Sequence, residues 1–408
     1  MTTTEISFSE TLGRRVRLGS WEDQKISTYR KIREAINNAN WDHAAELADY
    51  FTDEANVCFT LYRQWINDLQ GFLTGEGVSL EEVEQIDADV VSKLRLPDDS
   101  EWNARRHWDR YRQEQRNLLA QLFREEPDLA LEALDQMKET WRQTHDRDVD
   151  HTYGLMSAIQ ERFGSQGIVA MFKKLLVPLF AWRYQKFDID QHPWDEGLET
   201  LMLVACEAMR GHLVGPERTG DFELVEEDDR FIVRFDPCGS GGRTIRGDWI
   251  EGTPARMEPP YNWGVSQEEA SWNHYQKGVC LYCAHCIILM EEMPIDRFGY
   301  PVRVVDPQIS ATRNTAFTHA PRHHGSVRRH PPARGKDPLR GVHTVNVLGR
   351  CLDTNQDHLF AGLGLRLDPV RREDDAAYCG TRRRREAPSD NVPNGIGIEH
   401  RVKQSIQR

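Results

Sequence analysis

Cysteines at positions 280, 283 and 286, with His285 between the last two, form the densest group of soft ligands and nucleophiles in this 408-residue chain. The spacing Cys280-Leu-Tyr-Cys283 lets one tight turn aim two sulfurs at a single ion while backbone N–H groups stabilise the thiolates. A further sulfur, Cys238, precedes Gly239-Ser240-Gly241-Gly242, where residues without a Cβ allow close backbone approach. These residues predict a tetrahedral zinc held by Cys238, Cys283, Cys286 and one of His285 or Cys280. An iron–sulfur cluster is the alternative: Cys280, Cys283 and Cys286 repeat the first three ligands of a ferredoxin-like run, with Cys238 as the fourth. Met290 stands where the local ending of that run needs cysteine, and no Cys-x-x-His joins Cys283-Ala-His285 to make a Rieske pair. Thiols without any metal are the third reading. Four protein ligands would make the zinc structural, the simpler case, whereas three would leave a position for water or substrate and permit Lewis-acid chemistry.

A second constellation, His145, Asp148 and His151, interrupts an apolar stripe that runs through Leu134, Met137 and Trp141 and resumes at Leu155 and Ile159. An imidazole and a carboxylate in such a stripe cost several kcal/mol, on the order of magnitude of a lost hydrogen bond each, unless they are paired or bound to a metal. They are the candidate catalytic residues: Asp148 orienting a histidine that acts as acid or base, or all three holding a cation with His212 from a later helix. The plainer alternatives are a satisfied core pair or a helix broken near His145. Asp146 and Asp150 are placed on the solvated face of the same helix.

Gly239, Gly241 and Gly242 followed by Arg243 are candidates for binding a cofactor's phosphate in an anion nest. The run is not a P-loop, because no Gly-Lys-Ser/Thr follows it, and Cys238 stands where a nucleophile elbow needs glycine. The neighbouring cysteine gives the glycines a structural reason of their own.

The elements that must position these groups are mostly helical. From Trp41 to Phe72 apolar residues recur at three- and four-residue spacing, predicting a long helix in which Cys58 is a small filler of the buried seam. Ser79 with Glu82 fits a capping box opening the next helix. Further helices are predicted over 101–124, 131–163, 168–186 and 194–213. After Gly215-Pro216 the period shortens: 222–226 and 231–235 read as a hairpin around Glu227–Arg230, and 301–305 as a last strand.

The expected fold class is therefore mostly α: an N-terminal arm (1–19), a helical bundle (20–214), and a small α+β, zinc-ribbon-like metal-binding module (215–308). A poorly structured basic tail (309–408) completes the chain. Charge divides at the same place. Residues 309–408 hold 16 Arg and 2 Lys against 10 Asp and Glu, a net of +8, which leaves −21 of the total −13 for residues 1–308. The tail has no Trp and 20 Leu, Ile, Val or Phe, too little apolar surface to offset chain entropy. Three origins fit it: a disordered basic arm, an intramolecular partner for the acidic body, or, most simply, GC-rich coding sequence read out of frame, which the excess of Arg over Lys resembles.

No leader is visible at Met1-Thr-Thr-Thr, and the apolar stretch 167–182 is interrupted by Lys173, Lys174 and Pro178, so the expectation is a cytoplasmic protein without a membrane span. The acidic body argues against nucleic acid; only the basic tail offers such a surface. The function expected is a cytosolic metal-dependent enzyme of small-molecule metabolism, with a small-molecule substrate bound between bundle and module. A non-enzymatic zinc-stabilised binding or regulatory protein is the alternative, and an iron–sulfur redox protein the second. Oligomeric state is not legible.

Overall fold

The computed structural model describes residues 4–183, 191–228, 230–306 and 324–328. The chain divides into two units, Met1–Cys351 and Leu352–Arg408. The second lies outside the described residues, as do the tail's clusters at 329–330 and 382–385.

The start of the chain differs from the expected arm. Strands β1 (Glu5–Ser9) and β2 (Arg14–Leu18) form an antiparallel hairpin, with Gly13 at φ 65° in the turn. Side chains hold it more than an apolar face does. The buried Arg17 guanidinium donates to the carbonyls of Asp23 and Ile26, each at 2.6 Å, and the Arg17 N–H donates to the Tyr50 hydroxyl at 3.0 Å. That is why hydrophobic alternation gave no sign of it.

The bundle follows as α1 (Trp21–Gln24), α2 (Thr28–Asn37), α3 (Trp41–Gly75), α4 (Leu80–Ser92), α5 (Ala104–Phe123), α6 (Pro127–Arg183) and α7 (Trp194–Gly211). Ser20, Ser27, Ser79 and Asn103 each accept a backbone N–H at a helix start, the Ser79 cap being the one read from sequence. Along α3 the stripe from Ala44 through Cys58 to Phe72 is buried as its spacing requires. Helix α6 is interrupted at Gly164 (φ 65°, ψ −162°), so it comprises two arms. Within its first arm, residues 144–157 are buried on every side. One stretch inside Pro127–Phe180 is apolar enough by length and composition alone to cross a membrane, and a third of it is buried within the fold.

Strands β3 (Glu223–Glu226) and β4 (Arg230–Arg234) make the expected hairpin. They belong to a four-stranded antiparallel sheet in the order β3-β4-β6-β5, where β5 is Val304–Asp306 and β6 is His324–Arg328. The strand from the tail region thus lies between two strands of the body. Short helices α8 (Gly241–Arg246), α9 (Leu281–Ile287) and α10 (Met293–Phe298) complete the second half, with a π turn at Ile288–Glu292 joining the last two. A zinc-ribbon arrangement is not shown: Cys280 caps α9, Cys283 and Cys286 lie on it, and Cys238 precedes α8, so no pair of hairpin knuckles faces another. One apolar cluster runs from Ile32 through Trp141 to Val305, taking residues from both halves.

Candidate active site

Helix α7 ends at a point fixed from several directions. The Trp141 indole N–H donates to the Gly211 carbonyl at 3.0 Å, and Arg218 Nε donates to the Leu213 carbonyl at 2.8 Å. Gly211 packs so closely on α3 that a Cβ would lie 2.8 Å from the Cys58 sulfur, and Gly239 lies where a Cβ would come 1.8 Å from the His212 carbonyl oxygen. His212, the C-cap of α7, is therefore held between the bundle and the loop that carries Cys238.

Its ring joins a buried polar chain. His145 Nδ1 lies 2.9 Å from Asp146 Oδ1, and His145 Nε2 lies 2.9 Å from His212 Nδ1. Burial disfavours a charged His145 and lowers its pKa despite the hydrogen bond to Asp146. A neutral His145 must donate from Nδ1 to the carboxylate, so its Nε2 accepts, and the proton between the two rings belongs to His212 Nδ1. The remaining ring nitrogen, His212 Nε2, then carries the basic lone pair. The Tyr62 hydroxyl stands 3.2 Å from His212 Nδ1 and 2.7 Å from the Tyr282 hydroxyl.

Asp146 is not solvated, as its place on the helix suggested; it is fully buried, and Asp150 is nearly so. Arg218 and Arg256 from loops of the second half, and Arg243 from α8, cover that face of α6. Arg218 reaches Asp146 through both terminal nitrogens at 2.6 and 3.1 Å, and Arg142 joins at 3.1 Å. Arg243 grips Asp150 at 2.7 and 3.2 Å and donates to the Asp146 carbonyl, while Arg256 reaches Asp150 at 2.9 Å. Burial alone would raise the Asp146 pKa, but Arg218 and Arg243 and the His145 bond hold it well below the usual carboxylate range. Helical periodicity could not show this, because it assumes one face in water. The visible signal was the set of arginines in a Gly- and Pro-rich stretch, matching the acids of α6.

The residues expected to form an anion nest have these contacts. The Arg243 guanidinium is engaged by Asp150, and Gly239 is explained by its contact with His212, while Gly241 and Gly242 open the short helix α8. The expected catalytic trio is likewise dispersed. His145 faces His212, Asp148 pairs with Arg63, and His151 Nε2 lies 2.7 Å from Asp87. Burial raises the Asp148 carboxyl to about 7 even beside Arg63.

Cys238, Cys283, His285 and Cys286 line a single narrow cavity of about 80 Å³, together with His212 and Arg303. Cys280 stands outside that lining, its sulfur 3.5 Å from the Thr244 hydroxyl. Burial opposes its thiolate, yet hydrogen bonds with Cys283 and Thr244 carry its pKa below the ordinary thiol value. A hydrogen bond with Cys280 and burial together raise Cys283, and burial pushes Cys286 up to about 12. Among the described residues no three His, Cys, Asp or Glu side chains converge closely enough to hold a metal ion. Four of the five expected ligands thus share one wall without meeting at a point.

Comparison with protein-family models, curated proteins and solved structures finds no match to this chain. The site must be read from its own geometry. Sequence reasoning named His212 only as a fourth ligand and passed over Tyr62, Tyr282 and Arg303; the end of helix 194–213 was the one clue to His212.

Proposed function

We propose that the protein is an enzyme acting on a small molecule, with the cysteine-lined cavity as its active site, Cys238 as nucleophile and His212 as general base. The observation that carries this reading is the chain from Asp146 through His145 to His212, which leaves the basic nitrogen on a residue lining the same cavity as Cys238. In the proposed step the Cys238 proton passes to His212 Nε2, the thiolate adds to a carbonyl carbon of the substrate, and the broken C=O π bond leaves its electron pair on oxygen, which takes the proton from His212. His145 and Asp146 stabilise the imidazolium that forms, as the third member of a nucleophile–base pair does. Cys283 and Cys286, with raised pKa values, are thiols at neutral pH and serve as polar wall. A cavity of about 80 Å³ suits a substrate portion of a few heavy atoms and excludes a nucleotide-sized one.

Alkylation by iodoacetamide, mapped by peptide mass, tests this without knowledge of the substrate. Cys238 in the wild type is expected to react at neutral pH, and His212→Asn and His145→Asn to slow it by on the order of tenfold or more. Equal rates in folded variants would contradict the base assignment.

A metal-bound form is the second reading, favoured by the shared cavity wall of Cys238, Cys283, His285 and Cys286. Their side chains would have to move together to take zinc. One zinc per purified chain would favour it, a brown protein would favour the iron–sulfur form, and a metal-free chain would leave the thiol mechanism.

A further inference from the structure

We infer that the ligand of this cavity is a small monocarboxylate, bound by the guanidinium of Arg303; the inference rests on the cavity being the active site and names the class of its substrate. Arg303 lines the cavity and is 6% exposed, and its Nε has no hydrogen-bond partner. Every comparably buried arginine nearby meets a carboxylate: Arg142, Arg218 and Arg243 meet Asp146, and Arg256 meets Asp150. Among the described side chains, which do not include that of Asp306, no acid is in ion-pair range of Arg303. Glu291, the nearest element's buried acid, is already engaged: Oε1 accepts from the Val305 N–H at 2.8 Å and Oε2 lies 3.1 Å from His274 Nε2. A buried cation without a counter-ion is costly, and a bound anion removes that cost.

The position of Arg303 is built in by the backbone. In a regular helix the Met290 carbonyl would accept from residue 294, but Pro294 has no N–H. The carbonyl instead accepts from the N–H groups of Val302 and Arg303, at 3.2 and 3.3 Å. Those bonds, made at the π turn that also supplies Met290 to the cavity wall, pin the residue where its side chain joins the lining. The planar fork of arginine matches the two oxygens of a carboxylate. It is the one guanidinium in the described lining, so its charge balances a monocarboxylate better than a phosphate dianion.

Titration of the full chain with propionate, propionamide and inorganic phosphate, followed by ligand-observed NMR, tests the inference. Propionate should bind, propionamide should not, and phosphate should bind more weakly than propionate. Arg303→Met should weaken propionate about tenfold or more with its melting temperature kept. If that variant does not fold, Arg303→Lys, which keeps the charge and loses the fork, should still bind more weakly than the wild type. Equal binding of propionamide, stronger binding of phosphate, or wild-type propionate affinity in the folded variant would overturn it. The assay involves no turnover, so the two readings fail separately. Normal propionate binding in Arg303→Met beside slowed Cys238 alkylation in His212→Asn would sink the carboxylate and keep the base. The reverse pattern would keep an anion site and sink the thiol mechanism.

Discussion

Asp146 and Asp148 lie two residues apart on one buried helix, yet their surroundings set opposite pH behaviour. Asp146 is surrounded by guanidinium groups and its folded pKa is depressed, so its stabilisation is present above the ordinary carboxylate range and is lost as pH falls. Asp146→Asn leaves Arg218 with a neutral partner and should cost about 3 kcal/mol or more in urea unfolding, with loss of Cys238 reactivity. A change below about 1 kcal/mol would show that the arginines find other partners. Asp148 runs the other way. Its folded pKa is raised to about 7, so ionising it on going from acid to neutral pH removes stability. Asp148→Asn should therefore raise the melting temperature near about pH 8, with the gain shrinking toward about pH 5 as the wild-type carboxyl takes up its proton. A lower melting temperature at the higher pH would mean that the Arg63 pair outweighs burial. Of these residues the sequence marked His145 and Asp148 as buried polar groups, but it could not pair them. Pairing depends on Arg63 from α3 and on His212 from α7, each more than sixty positions away.

At the scale of elements, what could be read in advance was whatever depends on neighbours in the chain. Helix α3, the Ser79 cap and the β3–β4 hairpin follow from local periodicity and local turn chemistry. The β1–β2 hairpin and the loop before α8 depend on remote partners, Tyr50 for one and the His212 carbonyl for the other. Gly239 shows the difference. Its type suggested an anion nest, and its close contact with the His212 carbonyl, two elements away, could not be read from its neighbours in the chain. Gly239→Ala should cost about 2 kcal/mol or more, because the methyl would lie 1.8 Å from the His212 carbonyl oxygen and 3.0 Å from that of Leu213, backbone atoms that cannot swing aside as a side chain can. Chemical denaturation with Cys238 reactivity as a second probe checks this; a variant matching the wild type in both would show that the loop does not seat His212.

For the whole molecule, the division of charge at residue 308 was legible, but its consequence for the fold was not. Low apolar content suggested a tail without a core, yet His324–Arg328 pairs with β4 on one side and β5 on the other. Backbone hydrogen bonding needs little apolar side-chain surface, which is why composition did not reveal the strand. Cys351 and Cys379 fall outside the described residues. A chain ended after residue 306 loses the strand that joins β4 to β5, and should melt several degrees lower than one ended after residue 351, where the first unit closes. Equal melting temperatures would show that this strand adds nothing to stability.

The proton arrangement in the buried histidine pair carries the functional account, and ¹⁵N NMR of the imidazole nitrogens reads it directly. At neutral pH the predicted result is a protonated Nδ1 and an unprotonated Nε2 on both His145 and His212. A proton on Nε2 of His212, with its Nδ1 bare, would contradict the account, because the histidine that shares the cavity with the thiols would then have no base to offer them.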